Sequence, residues 1–537
     1  MIPPLPFSSG RMGGVLGWWV MVVLAGLMVP VAAVGQTMSD PLVPRGRVRL
    51  DLAPSISWWD TRYGIGPDGQ DVEEALGMDL TDERGVGLFP GITTLEETLR
   101  SLSGDAGFEG RVGSTVGRLN REVTRLDFGL RLGVFDWLTV GASVPYVRGR
   151  STLDIAFRAD STANLGANPA AAGSQGVSDL LSALGEAAVS ADSRARSLCA
   201  TGNSAACSGA TALAQRANGF WEGMFGAYFA TPFFPLAGAP VAAKLQQAFA
   251  ALNGDLAAAG LAGVGLPLVF ASNALDDAGY RALSSSSSVG MTPLASYPGL
   301  WQLGDVEVNA TVRLLDGEVR DSGAVSPRFA WALYGGFLVR LPTGILDDPD
   351  VLLDFASGDA QQDLEGRVDA GLRVGSRLDF RGSFRRGTQG AVDILRRVAP
   401  HEALLPPASS LRAVRWTPGA YTHVELSPRI HLGEALALAA DYRRFHKAVD
   451  AYELLGEETA NAPSADVTLL ARETEMTVEE VALGLRYSSL GLFRRGLVGT
   501  PAEVGVRWVF PLSGSGGQTP KASRAEFSLS LFRRIWG

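Results

Sequence analysis

Apolar residues recur at every second position in about twelve stretches of this chain, and the connections between the stretches alternate long and short. The clearest stretch sets Leu126, Phe128, Leu130, Leu132 and Val134 on one side and Arg125, Asp127, Gly129, Arg131 and Gly133 on the other. A period of two is the signature of a strand with two different faces. An open sheet with such faces needs a second layer to cover the apolar one. A closed antiparallel barrel instead turns it to lipid and leaves no unpaired edge. The pattern therefore predicts an all-β chain: a transmembrane antiparallel β-barrel of about twelve strands, with ten or fourteen if one pair is merged or missed.

The predicted strands fall near 47–58, 122–134, 137–149, 304–315, 328–341, 363–375, 376–386, 420–431, 435–445, 477–488, 502–511 and 524–534. The first places Val48, Leu50, Leu52 and Ile56 outward, with Arg49, Asp51, Ser55 and Ser57 inward. Trp58, Trp59 and Tyr63 at its end read as part of an interfacial aromatic girdle. Long connections alternating with short ones match extracellular loops and periplasmic turns, and an even strand number returns both ends of the barrel to the periplasm. The same parity nominates lumen-lining residues: Arg125, Asp127 and Arg131 on the second strand, then Glu307 and Arg313 on the fourth. Arg367, Asp369 and Arg373 follow on the sixth, Arg377, Asp379 and Arg381 on the seventh, and Glu425 and Arg429 on the eighth. Such interleaved charge is either a set of cross-strand ion pairs filling a narrow barrel or the wall of a polar passage.

Residues 150–303 break the pattern and predict a large, partly helical extracellular loop or plug-like insertion, with alanine-rich helical stretches near 177–198 and 239–260. Within it, Phe220, Trp221, Phe225, Tyr228, Phe229, Phe233 and Phe234 are too apolar to hang in water. They form either the insertion's own core, an apolar gate for ligands, or a membrane-surface contact. Cys199 and Cys207 are the two cysteines; in an exported chain they are expected to form a disulfide across a short loop.

Composition narrows the class. Hydrophobic residues make up 46%, and no segment beyond residue 40 is long and apolar enough for a transmembrane helix. Net charge is -9, with no basic stripe to suit a nucleic-acid partner. Lysine is scarce, with Lys244, Lys447 and Lys521 the three among 47 basic residues. Arg11 followed by the apolar run Val15–Val34 and small residues near Gly35 reads as a signal peptide over 1–36, leaving 37–537 as the barrel. Export to the outer membrane of a Gram-negative bacterium follows. The expected partners are outer-membrane lipid, lipopolysaccharide, the barrel-assembly machinery and a small-molecule solute; oligomeric state is not legible.

Catalysis finds little support in the residues. The four histidines are His401, His423, His431 and His446, none in a nucleophile motif. His423 and His431 have inward parity, and the other two lie in or beside loops. Asp347, Asp348, Asp350 and Asp354 could hold calcium, yet their spacing is not that of an EF-hand and a solvated loop is the simpler reading. No catalytic, cofactor-binding or metal-binding residue is nominated, and no cofactor is expected.

Several phrases resemble the outer-membrane transporters named for the phenol meta-cleavage pathway. They are Leu130–Leu138 leading to Ser143-Val144-Pro145-Tyr146, then Leu303-Gly304-Asp305-Val306-Glu307-Val308, then Leu341-Pro342-Thr343-Gly344. The resemblance covers about 250 residues, and the 150–303 insertion and the ending Phe532–Gly537 depart from it. It implies passage of hydrophobic or aromatic small molecules and transfers no site residues. The expected function is thus an outer-membrane channel or transporter for such solutes. The alternatives are a closed structural or surface-interaction barrel serving adhesion or phage contact and, third, an outer-membrane hydrolase.

Overall fold

Alternating sequence becomes wall in a computed structural model that describes residues 41–66, 68–200, 204–322, 327–399, 403–456 and 465–536. Twelve antiparallel strands close on themselves: β1 Arg47–Trp59, β2 Gly113–Phe135, β3 Leu138–Ala159, β4 Glu307–Val319, β5 Phe329–Arg340, β6 Asp363–Val374, β7 Leu378–Gln389, β8 Tyr421–His431, β9 Leu436–Lys447, β10 Met476–Ser488, β11 Ala502–Ser515 and β12 Ser523–Arg534. Each pairs with its neighbours in sequence, and β1 pairs with both β12 and β2 to close the ring. Each strand of the ring thereby has a partner on both sides, as hydrocarbon demands of backbone polar groups. The extra strand Gln302–Leu303 lies on β3 outside the ring. The predicted signal peptide falls outside the described residues.

The outer wall carries Leu50, Phe128, Leu130, Val308, Phe337, Phe384, Leu426, Leu438, Leu483 and Val506, all exposed. So many exposed large apolar side chains around a closed ring identify a membrane-spanning barrel rather than a soluble one. No helix of the described residues is long and apolar enough to cross a membrane. Aromatics gather at the rims. Phe135 and Trp137 stack at 5.2 Å beside the β2–β3 turn, and Trp58 meets Trp508 edge-on at 5.2 Å near the opposite end. Trp59 and Tyr63, expected in that girdle, are buried: Trp59 has the opposite parity to Trp58 and faces the lumen.

The connections differ sharply between ends. At the end with short turns, chain residues 41–46 fold back inside the barrel: Val43 is fully buried, and its N–H donates to the Thr139 hydroxyl at 2.8 Å. Gly133 makes this possible, because a Cβ there would lie 2.3 Å from the Val43 carbonyl oxygen. Gly46 accepts the Ile535 N–H, so the two ends of the barrel sequence meet on this side.

At the other end β2 and β3 run beyond their neighbours and carry a helical cap. The cap contains α1 Gly91–Ser103, α2 Gln175–Ala200, α3 Ser204–Ala230 and α4 Pro240–Ala258. A disulfide, Cys199–Cys207, ties the α2–α3 corner. Its core joins Leu95, Leu99, Leu184, Met224 and Leu245 from the helices to Leu119 of β2, Ile155 and Phe157 of β3, and Leu353 and Leu405 of later loops. Leu119, Ile155 and Phe157 share the parity of the lumen-facing residues Asp127 and Ser143. The cap therefore sits on the lumen side of the hairpin, over the barrel mouth.

Candidate functional site: a capped, charge-filled lumen

Three levels of the lumen differ in chemistry. At the mouth, inward parity places Trp59 of β1, Val123 of β2 and Val147 of β3 in one buried apolar layer, closed by Phe355 from the loop between β5 and β6. Phe355 packs over Gly149, where a Cβ would lie 2.2 Å from the ring Cγ, and the Arg121 guanidinium lies 5.1 Å from the ring centroid. Tyr297, from the strap that follows the cap helices, approaches the same ring at 6.4 Å. Burial and the neighbouring Asp354 carboxylate push the Tyr297 phenol up to about 12.

The loop carrying Phe355 is latched by two of the phrases singled out in the sequence. The Asp305 carboxylate accepts the Gly344 N–H at 2.8 Å and the Asp359 N–H at 3.2 Å. The Thr343 hydroxyl donates to Gly304 O at 2.8 Å, and the Ser357 hydroxyl to Leu303 O at 2.7 Å. Short polar side chains bonding nearby backbone in this way fix a loop without regular structure. The acidic run considered for calcium is engaged otherwise. Asp347 binds Arg396 through both oxygens, Asp350 binds Arg397 at 2.5 Å, and Asp354 accepts the N–H groups of Asp348 and Phe355.

Below the mouth, charged side chains from several strands fill the lumen. Arg507 reaches Asp441 at 2.5 Å, Glu425 at 3.6 Å and Glu526 at 3.2 Å, and Arg443 reaches Glu526 at 2.8 Å. Since Arg443 stands on β9 and Glu526 on β12, this contact spans two intervening strands across the interior. Arg524 joins Glu526 and Glu480, each at 2.8 Å. On the facing side Arg340 pairs with Glu307 at 3.1 Å and with Asp363, and the Tyr421 hydroxyl donates to Glu365 at 2.9 Å. Arg49, Arg385 and Arg507 are each 1% exposed. A water-filled bore would leave such side chains wet, so the middle of the barrel is shut.

Most of the nominated lumen residues occupy this interior. Arg125 pairs with Asp127 at 2.7 Å, Arg131 with Asp51 at 3.3 Å, Arg367 with Asp369 at 2.8 Å, and Arg381 with Asp379 at 3.4 Å. Arg313 lies 3.7 Å from Asp316 near the lower rim, and Arg373 is exposed there. Arg377 departs from its expected place: it sits exposed in the turn between β6 and β7, because the seventh strand begins at Leu378. Arg443, Asp441, Arg507, Glu526 and Arg524 were not nominated, although inward parity on β9, β11 and β12 carries the signal. Their pairing across intervening strands does not show in the sequence.

The aromatic segment of the insertion divides. Phe220, Tyr228, Phe233 and Phe234 are buried in the cap core, with Tyr228 stacked on Phe234 at 4.2 Å. Trp221, Phe225 and Phe229 recur every fourth residue along another face of α3, where Phe225 and Phe229 are exposed. None of the seven lies in the apolar layer at the mouth, so that layer's closure falls to Phe355 instead. Of the histidines, His423 is enclosed in the lumen, His431 borders its lower cavity, and His446 meets the Thr477 hydroxyl at 3.2 Å. His401 lies outside the described residues.

Beneath the charged layer a cavity of about 1100 Å³ opens between the short turns. Its wall includes Arg381, Ser427, Arg429, Ala437, Arg486 and Glu503, and Pro41 stands at its edge.

No family model and no curated protein matches the chain. Among solved structures, an outer-membrane channel from Pseudomonas putida F1 is similar at 8% identity and a TM-score of 0.40, over 92% of this chain and all of that one. A mutant of the TodX monoaromatic hydrocarbon channel gives 10% identity and 0.30 over 93% and 94%. A Pseudomonas aeruginosa FadL homologue gives 8% and 0.26 over 91% of each chain.

Proposed function

We propose that the protein is an outer-membrane channel for small solutes whose resting lumen is shut and whose capping loops open it. The observation that carries this reading is the cavity of about 1100 Å³ that opens between the short turns and reaches up to the charged layer, above which one loop side chain, Phe355, closes the far mouth of the lumen. A stopper held by loop hydrogen bonds can leave without breaking a strand ladder, because such bonds are individually worth only about 1 kcal/mol net. Small hydrophobic or aromatic molecules are the solute class implied by the resemblance to the meta-cleavage transporters.

A closed surface-interaction barrel is the second reading, and the buried arginines at mid-height favour it. Reconstitution separates the two. For a channel, full-length protein in planar bilayers shows intermittent conductance and admits small solutes into liposomes. For a closed barrel, correctly folded protein shows neither, and deleting 160–300 abolishes contact with a surface partner without creating a leak.

A further inference from the structure

The ring of Phe355 occupies a notch built from strand residues. Its floor is bare backbone at Gly149, on the same rung as Val123 and between Val147 and Ser151 along the inward face of β3. A Cβ at Gly149 would stand 2.2 Å from the ring Cγ and 2.5 Å from Cδ2, so the ring takes the space a wall side chain would fill. One rung up, Arg121 lies between Trp59 of β1 and Ser151 of β3, and its guanidinium carbon is 5.1 Å from the ring centroid, within cation–π range. Everything here except the ring belongs to β1, β2 and β3. The notch therefore persists when the ring leaves.

Two features of the notch point past Phe355. The first is Arg121 Nε, which is buried with no hydrogen-bond partner among the described residues. Of the charges near it, Asp347 is bound through both oxygens to Arg396, and Arg62 is held by Glu74 and Asp79. A buried N–H without an acceptor is costly, and a benzyl group offers it none. A ring carrying an oxygen would supply one. The second is the way the ring is held. Leu353 O accepts the Ser151 hydroxyl at 3.2 Å, anchoring the loop beside the notch, whereas the Phe355 N–H donates to the adjacent Asp354 carboxylate at 2.7 Å and not to the wall. Packing holds the ring, so it can swing out while the loop stays.

We propose that this notch is a binding site for a single aromatic ring that carries a hydrogen-bond-accepting oxygen, with Phe355 as its built-in competitor. The solute ring replaces the benzyl group against Gly149 and beside Arg121, and its oxygen accepts the Arg121 Nε–H. A saturated ring lacks the face a guanidinium attracts, and a ring bearing an ammonium group is repelled. As a step in passage the site rests on the channel reading above, to which it adds what displaces the stopper. A tethered group competes at an effective concentration on the order of millimolar, so the solute opens the mouth only when abundant.

Calorimetric titration of the folded, detergent-solubilised full chain tests the site, with benzyl alcohol, cyclohexylmethanol and benzylammonium as probes and the heat of each entering detergent alone subtracted. Phe355→Ala, which empties the notch, should bind benzyl alcohol about ten-fold more tightly than the parent, whose own ring competes. It should favour benzyl alcohol over cyclohexylmethanol by about five-fold, the worth of a modest cation–π contact, and should not bind benzylammonium measurably. In that background Arg121→Met should erase the preference, Gly149→Val should abolish binding, and Arg196→Gln on α2 should change nothing. Folding of each variant is checked by its heat-dependent gel mobility. The parent chain gives a reading that needs no variant: benzyl alcohol should speed chymotryptic cleavage beside Phe355, and cyclohexylmethanol should not. If folded Phe355→Ala binds benzyl alcohol no better than the parent, favours neither ring, or keeps its preference without Arg121, the inference fails even where the protein conducts. Parent cleavage that is indifferent to benzyl alcohol overturns it equally. If the probes behave as described but neither parent nor variant conducts, the ring site stands and the channel reading fails.

Discussion

At the scale of single residues, function turns on Phe355, a side chain that no strand pattern nominates because it lies in a loop. Its seat is equally inconspicuous: Gly149 reads as one more barrel glycine until the ring is seen resting on it. Phe355→Ala removes the upper of the two closures and should make openings several-fold more frequent, while heat-dependent gel mobility stays unchanged because the ladder does not depend on the ring. Gly149→Val should act in the same direction by pushing the ring away; unchanged conductance in both would remove Phe355 from the closure. Tyr297, beside the ring, supplies a pH signature. Its phenol is raised from its ordinary value of about 10 to about 12, so the stabilisation it gives is present below pH 10 and is lost as pH rises toward 12. Protease protection of the 296–300 strap should fall across that window and not between pH 6 and 9.

At the scale of elements, period-two alternation made all twelve strands legible, because a residue slipped by one position would carry its charges into lipid. Ends were less legible. β2 and β3 extend well beyond 122–134 and 137–149, since their outer thirds exchange lipid for the cap and so lose the simple apolar-out pattern. Helix α3 was read only as an aromatic segment: its apolar residues on two faces obscure a single helical stripe, and one face packs while Phe225 and Phe229 stay exposed. On the outer wall, Leu483→Arg near the middle of β10 should destabilise the barrel by about 2–4 kcal/mol in urea unfolding from lipid vesicles. In the lumen, Asp441→Asn removes the tightest partner of Arg507, which keeps Glu526 and Glu425, so the cost should be that of one charge-assisted hydrogen bond, about 1.5–3 kcal/mol. A loss below about 1 kcal/mol would mean that water reaches Arg507 and that the middle of the barrel is open.

At the scale of the whole molecule, the lumen is closed at two heights by two different chemistries, paired charge at the centre and Phe355 under the helical cap above, while below them a cavity opens between the short turns. Lumen polarity was legible from parity, whereas its occlusion was not, because alternation places a charge inside without saying what it meets across the barrel. Single-channel recording in planar bilayers, comparing the full chain with Phe355→Ala at matched protein amounts, bears most directly on whether this is a gated channel. A gated channel gives sparse openings in the parent and several-fold higher open probability in the variant. Folded protein that is silent in both forms, and that admits no solute into liposomes, would make it a closed barrel instead.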